Sequence, residues 1–141
     1  MTKRFILSIF ALFLLVGFAQ PAEAGAPRLI AGATTFSTDQ VINTIEQGGD
    51  YTLIDSRPAV DYQAAHIETA INITDTEMTE ENLLDAVGSK DSFVVFYCNG
   101  AACGRAAKAA EKAVGWGFTN IHYYYAGLAE WTELELPLVS D

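Results

Sequence analysis

Apolar and polar positions along the chain follow two alternating patterns, one typical of buried strands and the other of amphipathic helices. The runs YTLID (51–55) and FVVFY (93–97) show no regular polar alternation, as expected for strands covered on both faces of a parallel sheet. The shorter runs AINI (70–73) and NIHYYY (120–125) predict two further strands.

Helical spacing of apolar residues separates these strand candidates. The clearest case has Ser37 followed three residues later by Gln40, the spacing of an N-terminal capping box, and Gly48 as a stop signal. Pro58 is placed to begin a short helical turn after the first long strand. Further helices are predicted at residues 79–88, 106–117 and 126–137.

Strands therefore alternate with helices, which predicts one α/β domain that begins near residue 35 and has a parallel sheet with helices on both faces. Ligands of such sheets bind where strand carboxyl ends meet helix amino ends. Asp55 ends one strand candidate and Cys98 directly follows another. Both are expected at this edge of the sheet.

The first residues are typical of an export signal. Two basic residues precede an apolar run (5–19), which is shorter than the roughly 20 residues of a spanning helix. We expect a signal peptide over residues 1–24 that is cleaved after Ala24, with an uncleaved anchor as the alternative. Residues 25–34 are small and irregular and predict a flexible segment before the domain.

Charge restricts the partners of the expected mature protein. About 117 residues remain after cleavage, enough for one domain. They include six basic and seventeen acidic residues, a formal charge of −11. This excess disfavours nucleic acid and anionic membranes as partners, and an anionic substrate would need local positive groups. Arg57, Arg105 and Lys108 are the candidates. The expected location is the periplasm, without stable membrane association.

Both cysteines of the chain, Cys98 and Cys103, lie in one short loop of small residues. In an exported protein they can form a disulfide, although so short a loop removes less chain entropy than a long one. The other reading is a nucleophile, because inward-turned N–H groups and a helix beginning near Gly104 would lower the pKa of a thiol. The candidate anion cradle comprises Asn99, Gly100, Ala101, Ala102, Cys103, Gly104 and Arg105.

Three stretches and a closing proline resemble the rhodanese family of single-domain sulfurtransferases across residues 35–139. The stretches are LIDSRPAVDYQAAHIETAINI, VVFYCNGAACGRAAKAA and GWGFTNIHYYYAGLAEW. The matching positions are Asp55, Arg57, His66, Ile67, Ala70, Asn72, Cys98, Gly117, Phe118, Gly127, Trp131 and Pro137.

The resemblance implies a rhodanese-like α/β domain with about five parallel strands and helices on both faces. It also implies that Cys98 is the catalytic residue. Cys98 would take a sulfane sulfur from a small sulfur-containing anion such as thiosulfate, or from a persulfide, and pass it to a thiol or cyanide. No cofactor or metal is implied. Asp55 and Arg57 would support the site, and the structural alternative is an ion pair of Arg57 with Asp61 or a loop cap.

The cysteine loop departs from the commonest family pattern. Positions that usually hold glycine and arginine hold Ala101 and Cys103, and arginine appears only at Arg105. Arg105 lies seven positions after Cys98 rather than the six of related phosphatases, which disfavours phosphate chemistry. Arg105 either reaches around to the loop or leaves anion affinity lower.

Cys103 has three interpretations: a resolving thiol that attacks the Cys98 persulfide, a regulatory partner, or a small residue at a helix start. The functional alternatives are accordingly a sulfurtransferase, a dithiol redox protein of the same fold, and a binding module without turnover. His66 is expected to satisfy a backbone carbonyl, and His122 to pack within a strand. The two histidines are too far apart in sequence for metal-ligand spacing.

Overall fold

The computed structural model describes residues 25–141, and the predicted signal peptide lies outside the described residues. In this part of the chain, five parallel strands form one sheet in the order β1-β5-β4-β2-β3. The strands are β1 (Ala33–Phe36), β2 (Tyr51–Asp55), β3 (Ile71–Asn72), β4 (Phe93–Tyr97) and β5 (Ile121–Tyr124). The helices are α1 (Thr38–Gln47), α2 (Ala59–Ala64), α3 (Glu80–Val87), α4 (Arg105–Gly115) and α5 (Gly127–Glu133). The predicted α/β fold class is confirmed.

Strand β4 lies in the middle of the sheet, and its two faces belong to two separate cores. Val94 and Phe96 pack with α3 and α4, whereas Val95 and Tyr97 pack with α1 and α5. All four side chains are fully buried, and each contributes about 1.5–3 kcal/mol through burial of apolar surface. This two-sided burial explains why FVVFY shows no polar alternation.

Helix α4 packs closely against the sheet because its buried side is made of alanine. Small side chains let the helix axis approach the strands and bring the loop before α4 down onto the sheet edge. The buried alanines are Ala106, Ala107, Ala109, Ala110 and Ala113.

The capping box predicted at the start of α1 is present. The Ser37 side chain accepts from the Gln40 N–H at 3.3 Å, and the Gln40 side chain accepts from the Ser37 N–H at 2.9 Å. Thr79 and Asn82 form the same reciprocal pair at α3. The last helix ends at Glu133, earlier than predicted from Pro137.

The start of the domain differs from the prediction. Residues 25–34 were expected to be flexible, but β1 begins at Ala33 and pairs in parallel with β5. Ile30 is buried in the core beside α4, and the Ala26 N–H donates to the Ala101 carbonyl at 2.8 Å. The strand ATTF is too short and weakly apolar to be recognised without its partner strand. The domain therefore begins before residue 35.

No helix among residues 25–141 is long and apolar enough to cross a membrane.

Candidate active site

The candidate active site is the loop between the central strand β4 and helix α4. Cys98 directly follows β4 and is only 2% exposed, whereas Cys103 is partly buried. The two cysteines form a disulfide, with their α-carbons 6.2 Å apart. The pairing that the sequence left open is therefore present, and Cys98 is not available as a nucleophile until this bond is reduced.

Backbone hydrogen bonds hold the loop from two sides. The Cys103 N–H donates to the Gly100 carbonyl at 2.9 Å and closes a tight turn. From the start of α5, the N–H groups of Leu128 and Ala129 donate to the carbonyls of Cys98 and Asn99 at 3.0 and 2.7 Å. The loop carbonyls thus satisfy N–H groups that a helix amino end leaves unpaired.

Two glycines allow this close approach of α5 to the loop. A β-carbon on Gly127 would collide with the carbonyl oxygen of Cys98 and lie 2.8 Å from the Gly100 nitrogen. A β-carbon on Gly100 would lie 3.0 Å from the carbonyl oxygen of Ala126. Gly127, one of the positions that match the rhodanese family, is therefore required by its contact with the cysteine loop.

Residues 99–102, which belong to the predicted anion cradle, form the turn between the two bonded cysteines. Within residues 25–141, four consecutive loop N–H groups donate to no main-chain carbonyl; they belong to Asn99, Gly100, Ala101 and Ala102. Helix α4 begins just beyond them, with no side-chain cap at Gly104 and no acidic residue in its first turn. Both features favour an anion at this position. Stabilisation of a Cys98 thiolate by these groups stays a prediction for the reduced protein.

Arg105 does not reach around to the loop. Its Nη1 donates to Asp75 Oδ1 at 2.8 Å, and Lys112 Nζ donates to the Asp75 main-chain carbonyl at 2.5 Å. Asp75 is largely buried, so the pair ties α4 to the segment after β3. Arg105 was expected either to reach around to the loop or to leave anion affinity lower. The first outcome is not observed, because the Arg105 guanidinium is bound to the Asp75 carboxylate.

Asp55 and Arg57 form a buried ion pair beside the cysteine loop. The Arg57 Nε and Nη2 atoms donate to the two Asp55 oxygens at 3.0 and 2.7 Å. The structural alternative of an ion pair with Asp61 is not observed, because Asp55 ends β2 within reach of an arginine two residues later. Burial lowers the pKa of Arg57, but the hydrogen bonds and charge of Asp55 outweigh it and raise that pKa above its ordinary value.

This pair organises the backbone around it. Arg57 Nη2 also donates to the Ala65 carbonyl at 2.6 Å. The Asn72 side chain donates to the main-chain carbonyls of Asp55 and Arg57 at 2.9 and 2.8 Å. Asp55 and Arg57 therefore connect the end of β2 to Ala65, which follows α2, and to Asn72, the last residue of β3. These contacts lie at the edge of the sheet that carries Cys98.

Ser56 is a buried residue at this edge that sequence reasoning missed. Its N–H donates to the Tyr97 carbonyl at 2.9 Å, directly before Cys98. Its hydroxyl is buried and has no hydrogen-bond partner in the part of the chain that the structure describes. A buried unpaired hydroxyl is unfavourable. The identity of its neighbours could not be read from the sequence.

Neither histidine takes part in the site. His66 Nδ1 lies 2.8 Å from the Tyr62 carbonyl and its ring stacks on the Tyr62 ring, as its predicted structural role requires. His122 lies in β5, and its ring stacks on the Phe93 ring at 4.0 Å between centroids. Among residues 25–141 there is no cluster of three His, Cys, Asp or Glu side chains suited to a metal ion.

The protein is an α/β domain with helices on both faces of a parallel sheet, and a cysteine loop connects its central strand to a helix. In such sheets, ligands bind at the carboxyl ends of the strands. The family model of the Rhodanese-like domain matches residues 37–134. The chain belongs to the rhodanese-like domain family.

Two further proteins are similar to this chain at the level of sequence. An HTH-type transcriptional regulator of Mycobacterium tuberculosis (strain ATCC 25618 / H37Rv) is 37% identical over 92 residues, which cover 65% of this chain and 39% of that protein. The chain thus spans about two fifths of the length of this curated relative. A solved structure described as a rhodanese with anions, from E. coli, is 30% identical with a TM-score of 0.54, covering 64% of this chain and 99% of that chain.

A more distant neighbour shares the fold alone. It is the polysulfide-sulfur transferase homodimer of Wolinella succinogenes, 23% identical with a TM-score of 0.62. The likeness covers 79% of this chain and 81% of that chain.

Proposed function

We propose that this protein is a sulfurtransferase that carries a sulfane sulfur as a persulfide on Cys98. The observation that carries the proposal is the position of Cys98, which directly follows the central strand in a loop of unpaired N–H groups before the amino end of α4. The family assignment supports sulfur transfer in general. The Wolinella neighbour, described as a sulfur transferase, supports the same class.

The first half-reaction uses the reduced protein. The Cys98 thiolate attacks the outer sulfur of thiosulfate, a sulfur–sulfur bond forms, and sulfite leaves with the electron pair of the broken bond. A persulfide donor serves in the same way, with a thiolate as the leaving group. The second half-reaction passes the outer sulfur to cyanide or to a thiol and restores the Cys98 thiolate.

The loop supplies charge stabilisation in place of the missing loop arginine. The free N–H groups and the uncapped start of α4 favour the thiolate and the persulfide anion over their protonated forms. No bulky side chain of the loop competes for this space. The substrate-binding residues are Asn99, Gly100, Ala101, Ala102, Cys103, Gly104 and the N–H of Arg105.

The disulfide favours a second candidate, a dithiol redox protein of the same fold. In that case Cys98 and Cys103 exchange two electrons with a partner and no sulfur atom is transferred. A binding module without turnover is the third class, and it requires a disulfide that stays closed. All three share the oxidised structure and differ in what the reduced protein does.

Intact mass measurement separates these functions. Reduced, desalted Cys103→Ser is incubated with thiosulfate under nitrogen, and the expected result is a gain of one sulfur atom that cyanide removes. Cys98→Ser treated in the same way is expected to show no such gain. Sulfur uptake by Cys98→Ser would refute Cys98 as the nucleophile, and no uptake by either wild type or Cys103→Ser would refute sulfur transfer.

Export is part of the proposal. The basic start, the apolar run 5–19 and the small residues before Gly25 support a signal peptide and a periplasmic protein. An oxidising compartment is also where a disulfide such as Cys98–Cys103 persists. Amino-terminal sequencing of periplasmic protein should begin at Gly25, and recovery of uncleaved chain in the membrane fraction would contradict it.

A further inference from the structure

We propose that Cys103 is the resolving residue of this enzyme, and that it converts the Cys98 persulfide into the Cys98–Cys103 disulfide with release of hydrosulfide. The inference rests on the proposed function, since it needs the persulfide. It adds a second catalytic residue, a second product and a requirement for a dithiol reductant.

The reach of Cys103 to Cys98 is established by the disulfide itself. Their α-carbons are 6.2 Å apart, within the ordinary range for bonded cysteines. The carbonyls of Cys98 and Asn99 are held by α5, and the turn from Gly100 to Cys103 is closed by a hydrogen bond. The same loop therefore holds both sulfurs within bonding distance and gives their reaction a high effective concentration.

Burial distinguishes the two sulfurs of the persulfide. Cys98 is 2% exposed in the disulfide form, so its Sγ is less accessible from solution than the outer, transferable sulfur of a persulfide would be. Cys103 Sγ, which bonds to Cys98 Sγ in the structure, reaches the inner sulfur from within the protein. Attack on the inner sulfur expels the outer one, whereas attack on the outer sulfur transfers it.

The step is balanced without an external oxidant. The Cys103 thiolate forms a bond to Cys98 Sγ as the bond from Cys98 Sγ to the outer sulfur breaks. The outer sulfur leaves with the electron pair, takes up the proton released from the Cys103 thiol and becomes hydrosulfide. That sulfur is reduced by two electrons, and the two cysteines are oxidised to the disulfide.

An external dithiol completes the cycle. A groove lined by exposed Asn99, Ala101, Ala102 and Ala129 leads to the partly buried Cys103. The dithiol attacks Cys103 Sγ, and Cys98 leaves as the thiolate that the loop N–H groups favour. The second thiol of the dithiol then attacks the mixed disulfide, which forms the disulfide of the reductant and releases Cys103. Each cycle consumes one thiosulfate and one dithiol and yields sulfite, hydrosulfide and a disulfide.

A single-turnover experiment tests this assignment. Fully reduced, desalted wild type is mixed with thiosulfate under nitrogen without added thiol, and sulfite, hydrosulfide and intact mass are followed. Wild type should release one sulfite and one hydrosulfide per protein, lose two hydrogens and then stop. Cys103→Ser should release one sulfite, keep the extra sulfur and release at least tenfold less hydrosulfide.

Two controls make the result specific. Ala86→Ser, a change of similar size at an exposed position of α3, should behave as wild type. Reduced wild type without thiosulfate should stay reduced over the same period, which excludes oxidation by residual oxygen. The rate of hydrosulfide release should not depend on protein concentration, because the reaction is intramolecular.

The failures of the two proposals are distinguishable. If wild type keeps a stable persulfide as Cys103→Ser does, Cys103 is not a resolving residue and sulfur transfer stands. If Cys103→Ser and Cys103→Ala take up no sulfur although both keep the far-ultraviolet spectrum of wild type, the proposed function fails and the resolving step with it.

Discussion

The α-carbon of Gly127 faces the carbonyl oxygen of Cys98 so closely that a β-carbon at residue 127 would collide with it. This contact seats the amino end of α5 on the cysteine loop, where Leu128 donates to the same carbonyl. The position of the sulfur therefore depends on a glycine 29 residues further along the chain.

Gly127→Ala should displace the loop and lower both stability and sulfur uptake. Overpacking at such a contact typically lowers the free energy of unfolding by roughly 1–3 kcal/mol. Gly48→Ala is the matched control, since Gly48 has a similar φ of 64° against 59° at Gly127 but open space around its α-carbon. Urea unfolding and persulfide formation measure the two effects. Equal losses in both variants would show that backbone strain alone is responsible.

Arg57→Met should be strongly destabilising, because it leaves the buried Asp55 carboxylate without its partner. Breaking a buried ion pair in this way lowers the free energy of unfolding by roughly 3–5 kcal/mol. The double variant Asp55→Asn with Arg57→Met should lose less than the sum of the two single variants. Strict additivity in urea unfolding would contradict a direct interaction.

Ser56→Ala should leave stability unchanged or raise it slightly, because the deleted hydroxyl is buried and has no hydrogen-bond partner among residues 25–141. Thr38→Val is the contrasting control. It deletes a buried hydroxyl that bonds the Tyr124 hydroxyl at 2.8 Å and the Glu130 carboxylate. That loss should lower the free energy of unfolding by about 1–3 kcal/mol. If Ser56→Ala is as damaging as Thr38→Val, Ser56 has a partner that the structure does not show.

Stability should fall in mild acid because of His122. Burial lowers the pKa of this ring, so below its ordinary pKa of about 6.5 the unfolded chain binds a proton that the folded protein resists. The stability of the folded protein with a neutral His122 ring is fully present at higher pH, and it is lost as the pH falls below about 6.5. His122→Gln should flatten the curve of unfolding free energy between about pH 7 and 5.5. If the curves of unfolding free energy against pH are identical for wild type and His122→Gln, a group other than His122 causes the loss of stability in acid.

Much of the fold followed from local patterns in the sequence. The Ser37–Gln40 capping box depends on residues three apart, and the burial of FVVFY on both faces is indicated by five consecutive side chains. The cysteine loop and the rhodanese-like stretches were likewise legible, because each motif is contiguous. These features need no knowledge of which elements become neighbours.

Other features depended on contacts between distant residues. Strand β1 exists through its pairing with β5, nearly ninety positions away, and Arg105 is engaged by Asp75, thirty positions earlier. Periodicity reports which face of an element is buried and not which element covers it. Sheet order, and with it the partner of each polar side chain, is decided by the packing of the whole domain.

For the site, the sequence alone identified the cysteine loop and its two sulfurs. The tertiary structure decided that Cys98 is buried and bonded to Cys103, and that α5 holds the loop in place. The physical reason is that the exposure and bonding of a sulfur depend on the atoms packed around it, and most of those atoms come from elements distant in the chain.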